Sequence, residues 1–302
     1  MKILSLLVCF IIFLCGCAAS GNNSSNPDIN SKISDNSKIT DINGNSATLT
    51  KDSKIAACYG SFAECLTLAG LEPVGVTEDA IEDHGLEFSS DTKIVGTVKE
   101  INLEQLTQSN PDYVMLSADL SAHLKLEESL KELGFSYGYF RIDTFSDYKA
   151  FMKTLCDISK RDDLYEENVT IPEKNIENIL AKVPENQSKD FLLIRAYSSG
   201  IKAKGDDNLA GQLLKELGGK NIADSHPSIL EDLSLEQIIN DDPQFIFVSF
   251  MGSEKAAKEY LKENFENNPA FSSLKAVKNS NYILLPKDLF HYKPNNRWDE
   301  SY

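Results

Sequence analysis

Short apolar runs alternate with amphipathic stripes from residue 53 to the end of the sequence. The nearly continuous apolar runs predict strands buried on both faces, and they span Lys54–Cys58, Pro73–Thr77, Tyr113–Ser117, Tyr137–Ile142, Phe191–Ile194, Phe245–Phe250 and Tyr282–Leu285. Between them, apolar residues recur at every third or fourth position and predict helices, as at Leu126, Leu130 and Leu133 or at Leu209, Leu213 and Leu217. This alternation is typical of α/β folds built on parallel sheets.

An internal repeat indicates two such sheets. Residues 102–118 align without gaps to residues 234–250, and Leu103, Glu104, Gln105, Pro111 and Ser117 recur as Leu235, Glu236, Gln237, Pro243 and Ser249. In each copy an Asn or Ser suits the N-cap of a short helix, and a Pro leads into a buried strand. Such units also resemble one another by convergence, but the repeat favours two similar Rossmann-like lobes with a ligand cleft between them.

The segment between the repeats predicts a helical connector. Phe151, Leu155 and Ile158 mark a helix that closes the first lobe, and Thr170-Ile171-Pro172-Glu173 has the pattern of a capping box that starts the next helix. We therefore expect a first lobe over 53–161, a connector over 162–188 and a second lobe over 189–302.

The first 52 residues carry a different pattern. The apolar run from Ile3 to Leu14 is too short to span a bilayer and suits the hydrophobic region of a secretory signal. The run ends in Leu14-Cys15-Gly16-Cys17, which resembles a bacterial lipobox, and this resemblance implies a signal peptide over 1–16 and a lipid on Cys17. A plain signal peptide with an incidental Cys is the alternative. Residues 17–52 are rich in Ser and Asn, which predicts a flexible tether.

Composition argues against several classes of protein. The 302 residues include 30 Lys+Arg against 46 Asp+Glu, a net charge of −16, which disfavours a nucleic-acid partner. Six Cys without a CxxC pair disfavour a disulfide scaffold or a redox or zinc motif. We expect Cys58, Cys65 and Cys156 to pack as small buried residues. The four His show no close ligand spacing, so no metal site is predicted, and His84 is expected in a solvated loop.

A series of short motifs runs from Lys54 to Tyr302. They are Tyr59-Gly60-Ser61-Phe62-Ala63-Glu64, Pro73-Val74-Gly75-Val76-Thr77, Val95-Gly96, Asn102-Leu103-Glu104, Pro111-Asp112-Tyr113-Val114, Gly218-Gly219-Lys220-Asn221-Ile222-Ala223, Ser234-Leu235-Glu236-Gln237 and Lys293-Pro294-Asn295-Asn296-Arg297-Trp298. In this order they resemble the class III substrate-binding proteins of ABC importers. Members of that family carry one unbroken helix between the lobes, whereas Pro172 is expected to kink or split it here.

The resemblance implies a function and a location. It implies a monomeric protein, anchored by lipid to the extracytoplasmic face of the cell membrane, that captures a ferric siderophore or haem and delivers it to ABC permease subunits. It implies no catalytic residues and no cofactor other than the cargo. Cobalamin is the alternative cargo.

Ligands of parallel α/β sheets bind beyond the carboxyl ends of the strands, which places the site in the interlobe cleft. Cations suit the charge of an iron complex, and aromatic faces suit its organic shell. The candidate ligand-binding residues are Tyr59, Ser61, Ser117, Asp119, Arg141, Arg195, Tyr197, Lys202, Lys204, Met251, His291 and Lys293. Arg195 is the strongest of these, because a charge directly after the buried run Phe191–Ile194 is costly without a partner. For haem, the candidate axial ligands are Tyr59, Met251 or a His.

Two acidic residues at matching repeat positions are candidates for partner binding. In the resembling family one Glu on each lobe docks to Arg pockets of the permease, which implies this role for Glu104 and Glu236. A Glu in the first turn of a helix also complements the helix dipole, and both roles stay open.

Two other functions stay open on the sequence. No GxSxG, Walker A, HExxH or GxGxxG motif follows residue 53, but the many carboxylates leave room for a lipid-anchored enzyme of unknown reaction. A structural or adhesive surface protein is disfavoured by the duplicated lobes and the Gly-containing turns after the predicted strands.

Overall fold

The computed structural model describes residues 37–184, 188–231, 233 and 235–302. The predicted signal peptide (1–16), the predicted lipid site at Cys17, the beginning of the predicted tether and the predicted N-cap Ser234 lie outside these residues. Within the described ranges, no helix combines the length and apolar composition needed to cross a membrane.

Strands and helices alternate through both halves of the described chain. The strands are β1 (Ser37–Thr40), β2 (Ser46–Leu49), β3 (Ile55–Ala57), β4 (Gly75–Val76), β5 (Lys93–Ile94), β6 (Gly96–Thr97), β7 (Glu100–Ile101), β8 (Tyr113–Ser117), β9 (Tyr137–Phe140), β10 (Lys189–Tyr197), β11 (Gly200–Lys204), β12 (Gly219–Asn221), β13 (Phe245–Phe250) and β14 (Tyr282–Leu284). The α-helices are α1 (Gly60–Leu68), α2 (Asp79–Glu82), α3 (Leu103–Ser109), α4 (Ser121–Leu124), α5 (Glu127–Glu132), α6 (Phe145–Ser159), α7 (Asp162–Tyr165), α8 (Ile171–Leu180), α9 (Leu209–Glu216), α10 (Ile222–Ser225), α11 (Ser228–Glu231), α12 (Leu235–Asp241), α13 (Glu254–Leu261), α14 (Lys275–Lys278) and α15 (Lys287–Phe290). Glu166–Thr170 and Lys262–Glu266 form π-helical turns, and Phe271–Ser273 and Asp299–Ser301 form 3-10 turns.

The first sheet is parallel, with strand order β5-β4-β3-β8-β9. Successive residues of its central strands point to opposite faces. Ile55 and Met115 join the core shared with α1 and α6, whereas Val114 and Leu116 join the core under α3 and α5. Every residue of β8 is buried, which is why the sequence shows a continuous apolar run there.

The second sheet has strand order β11-β10-β13-β14, and β12 also pairs with β10. β10 is parallel to β12 and β13 and antiparallel to β11. Leu192 and Val248 join a core with Leu261 of α13, whereas Leu193 faces Ala210 of α9. The predicted fold class, α/β with two lobes of parallel-rich sheet, is confirmed. Cys58, Cys65 and Cys156 are free and fully buried, as predicted.

A hairpin of β1 and β2 packs on the first lobe and corrects the predicted tether over 17–52. Ile39 and Leu49 are 1% and 3% exposed and belong to the first-lobe core. The buried Asp41 carboxylate accepts a hydrogen bond from the backbone N–H of Tyr139, which fixes the hairpin to edge strand β9. The tether prediction is wrong from residue 37 onward, because two buried aliphatic side chains and one buried carboxylate order a segment of polar composition.

The connector is one continuous helical run through α7, the π-turn and α8. Thr170 has helical dihedrals (φ −69°, ψ −38°) and its side chain caps nothing, so the predicted capping box is wrong. The expected break at Pro172 is also absent. Proline lacks the N–H that the carbonyl four residues earlier needs, but the Asn168 carbonyl accepts a hydrogen bond from the Tyr148 hydroxyl instead, and a π-turn immediately before the proline relaxes the helix register.

The C-terminal segment (residues 291–302) returns to the first lobe. Trp298 is 1% exposed and packs in the first-lobe core, 5.6 Å from Phe145 between ring centres. The Asn296 amide donates to Asn168 Oδ1 of the connector at 2.9 Å. The predicted second lobe over 189–302 is therefore wrong for these residues, because a large aromatic side chain near the C-terminus completes the core of the other lobe.

Candidate functional site

A cavity of about 520 Å³, called the cleft below, opens where the two sheets and the C-terminal segment meet. Its walls come from the turn after β3, the ends of β8, β9 and β10, the start of α9 and the beginning of the C-terminal segment. The lining residues are Tyr59, Phe62, Ser117, Asp119, Leu120, Phe140, Arg141, Ile142, Asp143, Arg195, Asp207, Asn208, Leu209, Gln212, Phe290, His291, Lys293 and Pro294. The carboxyl ends of parallel strands thus supply much of the site, as the rule for α/β sheets predicts.

Most of the predicted ligand-binding residues come together in the cleft. These are Tyr59, Ser117, Asp119, Arg141, Arg195, His291 and Lys293. They come from both lobes and from the C-terminal segment, so a single cargo can reach all three parts at once. Their contact with cargo stays a prediction.

Four other predicted residues do not line the cleft. β11 runs antiparallel to β10, with Lys202 opposite Arg195, so this strand carries Lys202 and Lys204 back along the second sheet. Tyr197 is the last residue of β10 and pairs with Gly200 of β11. Met251 follows β13 and is 41% exposed, but it does not line the cleft.

Ser61 also lies outside the cleft, in a hydrogen-bonded chain with His84 and Glu64. His84 Nδ1 is 2.6 Å from Glu64 Oε2, and its Nε2 is 3.4 Å from Ser61 Oγ. The His84 side chain is 4% exposed and its ring packs on Tyr292, so the predicted solvated loop is wrong. The residue types match a hydrolase triad, but Ser61 is 1% exposed. The hydrogen bonds among Glu64, His84 and Ser61 therefore hold α1 against the loop after α2 and do not present a nucleophile.

The cationic residues of the cleft differ in their partners. Arg141 Nε lies 2.6 Å from Asp119 Oδ1, so this guanidinium already has a counter-ion. Arg195 is half-buried in β10 and, among the described residues, has neither an ion pair nor a side-chain hydrogen bond. A half-buried guanidinium without a partner strongly attracts a carboxylate, which it binds through two parallel hydrogen bonds.

Aromatic rings form the first-lobe wall. The rings of Tyr59 and Phe62 meet edge to face, 5.3 Å apart between centres, and Phe62 meets Phe140 in the same way at 6.1 Å. Burial and the nearby Asp79 carboxylate raise the pKa of Tyr59, so its phenol is neutral. This wall offers apolar contact to the organic part of a ligand.

The C-terminal segment contributes two bases. Burial lowers the pKa of His291 to about 4, and the positive charges of Lys287 and Arg195 act in the same direction. Burial also lowers the pKa of Lys293 to about 7. The imidazole is therefore neutral at neutral pH, and the amine is near its point of titration.

Sequence reasoning missed the wall formed by the start of α9. Asn208 is the N-cap of this helix and accepts from Gly211 N, and Asp207 and Gln212 line the cleft beside it. An Asn directly before the stripe of Leu209 and Leu213 is an N-cap signal. The loop was missed because the site was predicted only from residues at the ends of strands. The remaining missed residues are neighbours of predicted ones.

A buried histidine positions the end of β8. Ser117 N donates to His123 Nδ1, and His123 Nε2 donates to the Val98 carbonyl, each at 2.9 Å. Burial lowers the pKa of His123, which keeps this tautomer neutral. Across the part of the chain that the structure describes, no three His, Cys, Asp or Glu side chains converge as a metal site.

The two acidic candidates for partner binding are both exposed. Asn102 caps α3 by accepting from Glu104 N and Gln105 N at 3.0 Å, which leaves the Glu104 side chain in the first turn, facing solvent. Glu236 occupies the first turn of α12 and is also exposed. Docking through these side chains stays a prediction.

Comparisons with known proteins identify binding proteins that share this fold. A family model described as periplasmic binding protein matches residues 55–289. The Fe(3+)-citrate-binding protein YfmC of Bacillus subtilis is 25% identical over 95% of this chain and 89% of its own length. The crystal structure of the petrobactin-binding protein YclQ of Bacillus subtilis superposes with a TM-score of 0.69 at 18% identity, over 88% of this chain and 95% of that one. IsdE of Staphylococcus aureus, complexed with heme, gives 0.63 at 18% identity over 83% and 96%. At these identities the two structures show a shared fold.

Proposed function

Because the chain belongs to the periplasmic binding protein family, we propose that it captures an anionic ferric chelate outside the cytoplasm and delivers it to an ABC permease. Two relatives are named as binding proteins for Fe(3+)-citrate and petrobactin, and the structure of IsdE is complexed with heme. Capture is an equilibrium binding event, and the cargo is not transformed.

The observation that carries this proposal is the unpartnered Arg195 in a cleft with an aromatic wall. A ferric chelate with carboxylate groups brings negative charge and an organic shell. Arg195 binds a carboxylate of the cargo, and the Tyr59–Phe62 wall covers the apolar part of the chelator. Closure of the cleft around the cargo removes water from the guanidinium and strengthens the pairing.

Delivery uses the surface rather than the cleft. The lipid on Cys17 keeps the protein at the membrane, and Glu104 and Glu236 pair with cations of two permease subunits. These acids lie at equivalent positions of the two repeats, so a permease with two similar subunits meets a similar carboxylate on each lobe. The monomer supplies both contacts.

Haem is a second candidate cargo, favoured by His291. A neutral imidazole is a ligand for haem iron, and burial holds the pKa of His291 at about 4, so the ring is neutral at neutral pH. Arg195 then binds a haem propionate. Haem uses an imidazole ligand of the cleft, whereas ferric citrate uses only its cationic groups. Absorption and fluorescence spectra therefore distinguish the two cargoes.

The test uses protein expressed from residue 18 onward and titrated with ferric citrate, haemin and cobalamin. Quenching of Trp298 fluorescence by ferric citrate alone supports the carboxylate chelate, and a Soret band with haemin selects haem. Mass spectrometry of the recovered cargo shows whether it is unchanged. Turnover favours a lipid-anchored enzyme, and no response to any of the three compounds refutes the proposed function.

A further inference from the structure

A second groove opens at the end of the first sheet opposite the cleft. It has a volume of about 410 Å³ and is called the hairpin groove below, because residues of β2 form part of its wall. Tyr113 and Tyr137, the first residues of β8 and β9, line it, whereas Ser117 and Phe140 at the other ends of these strands line the cleft. Its polar and aromatic walls include Asn45, Tyr113, Glu127, Lys131, Ser136 and Tyr137.

The hydroxyl of Tyr113 has no hydrogen-bond partner among the described residues. Tyr113 is 1% exposed and yet lines the hairpin groove, so the groove is where a partner for this hydroxyl can come from. Burial and the charge of Asp41 raise the pKa of Tyr113, so the phenol keeps its proton and can donate as well as accept a hydrogen bond. A buried hydroxyl without a partner is costly, which favours a ligand that supplies one.

The carboxylate of Asp41 is already occupied by the hairpin. Its Oδ1 accepts a hydrogen bond from Asn45 N at 2.8 Å, and its Oδ2 accepts one from Tyr139 N at 3.2 Å. The space beside it is kept open by Gly138, where an added Cβ would overlap the Tyr113 hydroxyl and lie 3.0 Å from Asp41 Cβ. The fold therefore makes room for this hydroxyl without supplying its partner.

The hairpin groove carries no unmatched charge. Glu127 and Lys131 lie one turn apart on α5 and pair at 2.6 Å. Apart from this pair, no described residue of the groove wall is charged. An ionic ligand would find no free counter-ion there, and an apolar ligand would leave the Tyr113 hydroxyl unsatisfied. The ligand that fits is therefore uncharged and polar.

Further groups of the groove suit the hydroxyls of a ligand. The Ser136 hydroxyl and Asn45 Oδ1 have no hydrogen-bond partner among the residues that the structure describes. A hydroxyl both donates and accepts, and an amide oxygen accepts. The Tyr137 ring meets Tyr139 edge to face, 5.7 Å apart between centres, and offers aromatic surface to the C–H face of a sugar ring. The volume lies in the ordinary range of small-molecule sites, about 300–1,000 Å³.

We propose that the hairpin groove is a second binding site of this protein and takes a saccharide of one or two rings, with a sugar hydroxyl bonded to the Tyr113 hydroxyl. The site is separate from the cleft, so this inference does not rest on the proposed function. Free sugars and the glycan chains of a cell envelope both present this chemistry, and the length of the sugar that binds best distinguishes them.

The test is nuclear magnetic resonance of tyrosine-labelled protein titrated with glucose, N-acetylglucosamine and the trimer of N-acetylglucosamine. At least one of these neutral sugars is expected to shift the signals of Tyr113 and Tyr137, identified by their loss in the Phe variants, and to leave Tyr197 of β10 unshifted. Preference for the trimer indicates a glycan chain, and preference for a single ring indicates a free sugar. Tyr113→Phe should weaken sugar binding by at least about tenfold and leave the affinity for ferric citrate unchanged.

Tyr148→Phe is the matched control. Tyr148 is also fully buried, but its hydroxyl donates to the Asn168 carbonyl at 3.1 Å. Without sugar, Tyr148→Phe should lower the melting temperature by about 2–4 °C, whereas Tyr113→Phe should leave it unchanged because no hydrogen bond is lost. Tyr148→Phe should retain sugar binding.

Three results would overturn the inference. An equal loss of stability in Tyr113→Phe and Tyr148→Phe would show that the Tyr113 hydroxyl already has a partner inside the protein. The absence of any shift with the neutral sugars would leave the groove without its ligand. A response to the charged sugar glucuronate alone would contradict the selection of an uncharged ligand.

Discussion

Trp298 of the C-terminal segment packs against Tyr148 of α6, with 5.9 Å between their ring centres. The contact joins the end of the described chain to the first lobe, although the residues just before it, His291 and Lys293, line the cleft. The position of one cleft wall therefore depends on a packing contact inside the first-lobe core.

We expect Trp298→Ala to lower the free energy of unfolding by about 3–5 kcal/mol, because it removes a fully buried ring and leaves a cavity. Urea denaturation followed by circular dichroism measures the loss. Trp298→Phe keeps a ring in the same space and should cost clearly less. Equal stability of the wild type and Trp298→Ala would contradict the packing described for the C-terminal segment.

Arg195→Ala is expected to weaken ferric citrate binding by roughly ten- to a hundredfold, the effect of losing a hydrogen-bonded charge. Calorimetric titration gives the affinity. Lys255→Ala, which changes an exposed lysine of α13 outside the cleft, should leave the affinity unchanged. Arg195→Lys should restore only part of it, because an ammonium does not bind a carboxylate through a planar fork. A normal affinity in Arg195→Ala would remove Arg195 from the site.

The double variant Glu104→Ala with Glu236→Ala should bind cargo with wild-type affinity and abolish uptake by cells. Both side chains are exposed and outside the cleft, so only contact with the permease is lost. Glu82→Ala with Glu263→Ala removes one exposed acid from each lobe and serves as the control. Uptake of radioactive iron reports the outcome, and weakened cargo binding by the purified double variant would refute the docking role.

Gly60→Ala should destabilise the fold by about 1–3 kcal/mol, because a crowded site accepts no added atom without strain. A Cβ at Gly60 would lie 2.7 Å from His84 Cδ2 and 2.8 Å from Asp79 Oδ2. Gly200→Ala meets no atom within 4 Å and should be close to neutral. Thermal unfolding compares the stability of the two variants. Because Gly60 directly follows Tyr59 of the cleft wall, we also expect Gly60→Ala, but not Gly200→Ala, to weaken cargo binding.

Stability without cargo should depend on pH through Lys293. Its pKa is about 7 in the folded protein against an ordinary value of 10.5, so between these values the unfolded chain binds more protons, and stability rises with pH. Below about pH 7 both states carry the proton and this contribution is constant. We therefore compare melting temperatures of the wild type and Lys293→Met across this range. The melting temperature of the wild type, relative to that of the variant, should rise with pH.

The buried central strands of the two sheets could be predicted from the sequence, since local patterns report burial. Tyr113–Ser117 and Phe245–Phe250 were predicted with the bounds that the structure has, because both faces of each strand are covered. Arg195 followed from the same burial argument.

Features that depend on contacts between distant residues could not be predicted in this way. The β1–β2 hairpin owes its order to Ile39 and Asp41 meeting the first lobe. His84 is buried because Glu64 and Tyr292 enclose it. The antiparallel direction of β11, which carries Lys202 and Lys204, is likewise invisible in its own sequence.

The return of Trp298 to the first lobe also sets the order in which the chain can fold. Synthesis proceeds from the N-terminus, and domains generally fold as units during it. Here the first-lobe core lacks its tryptophan until the second lobe has been made, so the first lobe reaches its final packing only after residue 298 has been synthesised. The completion of the first lobe is therefore coupled to the synthesis of the second.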